Sequence, residues 1–137
     1  MIKFEKKLLH ASLAVISAKK NSADYDLTLY LSPFIYNGEI VDSTISFEGL
    51  KLPSQYLQDL IGLKWVFDEE ESMSFNSCFT IKGVHNPVDL KQVEFIESRD
   101  GFLKVIAKII INFEFERYED FENLELIMNA TVASTIL

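Results

Sequence analysis

The chain has 137 residues, 48% hydrophobic and 25% charged, with a net charge of −8 and a pI near 4.7. That length fits one domain with a continuous core, and that apolar content excludes a disordered chain. The negative field repels phosphate and disfavours nucleic-acid binding, and the single cysteine, Cys78, excludes an internal disulfide and a cysteine-rich zinc site.

The start, Met1-Ile2-Lys3-Phe4-Glu5-Lys6-Lys7, is basic but leads into no continuous apolar run. No stretch of about 20 apolar residues occurs, so the expectation is a cytoplasmic protein with neither signal peptide nor membrane association. Residues 1–20 carry five lysines against one acid. Leu9, Ala11, Leu13 and Val15 alternate as in a strand, while Leu9, Leu13 and Ile16 would also line a helix; the strand is favoured because 19–24 reads as a hairpin loop. Asp26–Tyr36 alternates likewise, with Pro33 forcing a bend or an edge position because it has no amide proton. Asn37-Gly38 is a strong hairpin turn, and Glu39–Phe47 is its returning strand.

Residues Leu52–Gly62 predict the one helix, with Pro53 early, an apolar stripe of Leu57, Leu60 and Ile61, and Gly62 as its stop. Leu63–Phe67 and Phe75–Lys82 read as strands around an acidic loop, 68–74. His85-Asn86-Pro87 is composed like a turn. Val88–Ser98 is a strand whose alternation slips near Lys91-Gln92, which predicts a bulge. After a turn at Glu97–Gly101, Phe102–Arg117 gives the clearest pattern. Leu103, Val105, Ala107, Ile109 and Ile111 fall on one face, with Phe113 and Phe115 continuing the series. Period two over that length predicts one long strand, and Leu124–Val132 predicts the last. The sum is a single β-rich domain over 1–137. It is mainly β, an antiparallel sandwich or open barrel of about eight strands with one short helix.

Chemistry is sparse. The two histidines are His10 and His85, and no nucleophile elbow, phosphate loop or dinucleotide fingerprint is present. Cys78, His85 and Asp89 could form a nucleophilic set only if folding brought them within hydrogen-bond reach. A thiol inside a strand is more simply an inert core group. The expectation is a binding protein and not an enzyme, with no cofactor and no metal. Two acidic clusters are its candidate partner-binding residues: Asp68, Glu69, Glu70 and Glu71, and Glu116, Glu119, Asp120 and Glu122. Both also read as solvated charge, the second guarding a long apolar strand against edge pairing. Trp65 and the eleven phenylalanines read as core.

Two segments, Phe47-Glu48-Gly49-Leu50-Lys51-Leu52-Pro53 and Gly83-Val84-His85-Asn86-Pro87-Val88-Asp89, resemble segments of small bacterial β-domain proteins. With the acidic profile, the chain resembles immunity proteins of contact-dependent growth inhibition and polymorphic toxin systems. The resemblance implies a cytosolic protein that neutralises a cognate, basic nuclease toxin domain by tight association. The motifs carry no mechanism, so no functional residue follows from them. A different expectation is a β-barrel or sandwich that holds a small apolar ligand in a cavity lined by Phe and Tyr.

Overall fold

Alternating strands bury one face each, and a sheet that curls until its edges meet buries all those faces in one lumen. The computed structural model, which describes residues 3–18, 23–54 and 56–135, shows that solution. Its strands are β1 (Ala11–Ala18), β2 (Tyr25–Leu31), β3 (Phe34–Tyr36), β4 (Glu39–Val41), β5 (Thr44–Leu50), β6 (Lys64–Val66), β7 (Asn76–Ile81), β8 (Val84–Glu97), β9 (Leu103–Ile111) and β10 (Leu124–Thr135). Seven of them close a ring in the order β1-β2-β5-β7-β8-β9-β10 and back to β1. β6 adds to the outer edge of β8, and β3 and β4 form a separate hairpin. Three short helices are α1 (Leu57–Leu60), α2 (Glu69–Ser74) and α3 (Phe113–Glu116).

Every ring pairing is antiparallel except β1 with β10, where Leu13 lies opposite Thr131 and Ser17 opposite Thr135. Parity requires this. In a ring of strands that alternate up and down, an odd count leaves the first and last pointing the same way. The fold is therefore mainly β as the sequence predicts, but the barrel is closed, with seven of the ten strands among the described residues in its wall and one parallel seam.

The lumen is filled. Phe47, Phe79, Phe95, Val105, Ala107 and Ile109 have no surface that water could touch from inside or outside. These side chains belong to the one core cluster of the barrel. One end is plugged by rings from four segments. Phe4 stacks on Phe113 at 5.3 Å and meets Phe121 edge-on at 5.2 Å, while Phe34 and Tyr36 close over it from the β3–β4 hairpin. The other end is covered by the long β5–β7 connection, which buries Leu52 and Leu60.

Several expectations hold. Asn37 and Gly38 both take positive φ, 51° and 76°, as a two-residue hairpin turn demands. The β8–β9 register slips between Leu90 and Gln92, at the predicted bulge. Others are corrected. The strand predicted over Asp26–Tyr36 is cut at Ser32-Pro33 into β2 and β3. Glu39–Phe47 is likewise two strands, β4 and β5. The helix over Leu52–Gly62 shrinks to the single turn of α1. The expected hairpin loop at 19–24 falls mostly outside the described residues. His85-Asn86-Pro87 is strand and not turn, because Lys82 and Gly83 at φ 49° and 78° make the reversal one step earlier. The long strand stops at Ile111, and Phe113–Glu116 is helical: the barrel wall ends there and the chain must cross its end to reach β10.

Candidate functional site

β7 and β8 pair only from Cys78 to Ile81 against Val84 to Pro87. Further along, the same edge of β8 pairs with β6 at Gln92–Glu94. Helix α2 packs against β8 beside this parting of the wall, and α3 packs on β8 from the β9 side.

Each helix is fixed by local polar bonds. The expected acidic loop 68–74 is α2, and its acids start it. Asp68 is the N-cap: its Oδ1 accepts from the Glu71 amide at 2.8 Å, and Glu71 Oε1 accepts from the Asp68 amide at 3.2 Å. This reciprocal box satisfies two amides that a helix otherwise leaves open, and the carboxylates of the first turn also face the positive end of the helix. α3 is tied across its base. The Glu114 amide donates to Asn123 Oδ1 and the Asn123 amide donates to Glu114 Oε2, both at 3.0 Å. The chain then turns through Arg117, Glu119 and Asp120 at φ 51°, 48° and 60°. Left-handed backbone at three non-glycine residues costs about 1 kcal/mol or more each, and neighbouring packing must hold it. The plug supplies that packing through buried Tyr118 and Phe121.

Between the two helices runs a groove of about 610 Å³. Its floor is Ser77, Pro87 and Val88; Met73 stands on one wall and Phe115 on the other. Met73 is 72% exposed and Phe115 74%, an unusual state for two large apolar side chains that line the same groove. Asp89 and Glu114 add carboxylates, and no basic side chain lines the groove among the described residues. Ser72 and Ser77, which also line it, are 2% and 8% exposed, and neither hydroxyl has a hydrogen-bond partner within the protein. A buried hydroxyl without a partner forgoes about 1–3 kcal/mol of solvation.

None of the eight predicted acids lines this groove. Asp68 and Glu71 are engaged in the α2 cap, and Glu69 and Glu70 are exposed beside them. Glu116 is exposed at the end of α3, Glu119 and Asp120 are exposed in the left-handed turn, and Glu122 pairs with Lys3 at 3.8 Å. The groove residues Met73, Phe115, Ser72 and Ser77 carried no sequence signal of function. The helix that presents two of them did: Asp68-Glu69-Glu70-Glu71 has the spacing of a capping box.

Cys78, His85 and Asp89 do not form a hydrogen-bonded set. Cys78 sits opposite Pro87, the His85 Nδ1 lies 2.9 Å from Thr80 Oγ1, and Asp89 belongs to the groove. No cluster of three or more metal-ligating side chains occurs among the described residues, and no helix there is long and apolar enough to cross a membrane. Compared with known proteins, the chain matches no family model, no curated protein and no solved structure.

Proposed function

We propose that this chain is a binding protein of the immunity type, which neutralises a basic toxin domain by tight association through the groove between α2 and α3. The observation that carries the reading is the composition of that groove. Exposed Met73 and Phe115 line one groove together with two serine hydroxyls that have no partner within the protein and with the carboxylates of Asp89 and Glu114. Protein interfaces work this way: a few apolar anchors that lose water supply affinity, and charge around them sets the association rate. A basic nuclease surface complements both terms. The filled lumen leaves the small-ligand reading without an interior chamber.

The test begins with the neighbouring gene: if it encodes a toxin domain, that domain is co-expressed with this chain and the affinity is measured, and a neighbour that is no toxin rejects the immunity reading. Met73→Ala with Phe115→Ala is expected to weaken binding by about thirtyfold or more, since anchor residues each contribute about 1–2 kcal/mol or more. Unchanged affinity in that double variant rejects the groove as the interface. Growth arrest despite co-expression rejects the immunity role itself.

A further inference from the structure

On the other flank of α2 lies a second pocket, of about 380 Å³, between the helix, β6 and the end of β5. We infer that it is a binding site for an organic cation: an alkylammonium or guanidinium group held by Trp65, Phe67, Phe75 and Glu71. Three features carry the inference.

The first is the rings. Trp65, Phe67 and Phe75 all line the pocket and are only half-buried. Phe67 and Phe75 stand at 83° to each other with centroids 4.9 Å apart. Trp65 is itself held edge-on by Phe95 at 6.1 Å. Aromatic faces carry negative potential, and rings set at right angles around a space offer that potential to a cation from more than one side. The second is the carboxylate. Glu71 uses Oε1 to cap α2, which fixes the side chain and leaves Oε2 for a donor in the pocket. The third is the state of the lining's own cation. Lys51, the one basic residue of the lining among the described residues, has its charge engaged by Asp24 at 2.5 Å. The volume exceeds that of a bare ammonium and lies at the small end of the ligand range.

The cation can arrive as a free small molecule or as a Lys or Arg side chain of a polypeptide. The inference therefore goes beyond the partner-binding reading and does not need it. Trp65 is the only tryptophan in the chain, so its emission reports this pocket alone. The experiment titrates the protein with choline, with 3,3-dimethyl-1-butanol as its neutral carbon isostere, and with N-acetyl-arginine amide and N-acetyl-lysine amide, all at constant ionic strength. A saturable change is expected with at least one cation, at a concentration about tenfold below any effect of the neutral isostere. Choline alone identifies a small-molecule ligand; the capped amino acids alone identify a side-chain ligand. Glu71→Gln keeps the capping geometry, because Gln also serves at that position, and is expected to weaken the cation severalfold. Phe75→Leu is expected to remove the response. A neutral isostere that matches choline, no saturable change with any cation, or a cation response unchanged in Glu71→Gln overturns the inference. No protein partner enters the titration, so its result is independent of what the α2–α3 groove binds.

Discussion

Two aromatic clusters of this chain have opposite character. The plug gathers Phe4, Phe34, Phe113, Tyr118 and Phe121 from distant segments and buries each of them. The outer cluster gathers Trp65, Phe67 and Phe75 from one connection, beyond the barrel ring, and leaves them half-buried. Both contain edge-on ring pairs, so that geometry does not separate them. What separates them is position. The plug must seal the end of a closed barrel, where any gap would let water reach the core. β6 is an extra strand outside the ring, so rings on it can stay open at no cost to the lumen.

The largest expected effect tests that division directly. Phe113→Ala, in the plug, should cost about 3–5 kcal/mol in urea unfolding, the usual loss for a fully buried ring. Phe75→Ala should cost clearly less, because a half-buried ring gives up less transfer free energy and leaves no sealed void. Equal losses would break the comparison and make the outer cluster part of the core.

Next in size is Asp68→Ala, expected to cost about 1 kcal/mol through loss of the α2 cap. It should also shift Trp65 emission, since α2 forms one wall of the tryptophan's pocket. A stability loss with unchanged emission would mean that α2 does not shape the pocket.

How much of this was legible in the sequence follows from how local each feature is. The inward series Leu103 to Ile111, the Asn37-Gly38 turn and the bulge at Lys91-Gln92 are written in neighbouring residues, and each was readable. Phe113 and Phe115 continue the alternation of β9 by residue type, yet one is buried in the plug and the other exposed in the groove. Their helix depends on Asn123 meeting Glu114, a contact nine residues away. Barrel closure is less local still, resting on Leu13 opposite Thr131. The same holds for the site. The acids were visible as residues, but Met73, Ser77 and Phe115 come from three segments that only the folded wall brings together. The capping box at 68–71 was the one site feature that local spacing contained and that a reading of charge alone passed over.

Glu69→Lys with Glu70→Lys separates charge from scaffold, because these two acids stand outside the cap. Stability should fall by about 1–2 kcal/mol at most, from reversed charges at the positive end of a short helix. Association with a basic partner should slow by about tenfold at low salt, and the difference should shrink as salt rises. Loss of affinity through the dissociation rate alone would place these residues in the contact itself.

At neutral pH the smallest effect belongs to the plug. Tyr118 is buried, and its phenol is pushed from the ordinary 10 up to about 12, first by burial, then by Tyr36 through charge and a hydrogen bond, and by Glu119. The raised value fixes the sign. Below pH 10 the phenol is neutral in both the folded and the unfolded chain, so the full stability is present. Between about pH 10 and 12 the unfolded chain releases this proton more readily than the folded one, and stability falls as pH rises. Tyr118→Phe should therefore change little at pH 7, flatten the loss of stability between pH 10 and 12, and remove the highest step in absorbance at 295 nm. The outer cluster contains no tyrosine, so Phe75→Leu should leave the alkaline profile as it is. An unaltered slope in Tyr118→Phe would show that water reaches the phenol, and with it that the plug is open where the comparison requires it to be shut.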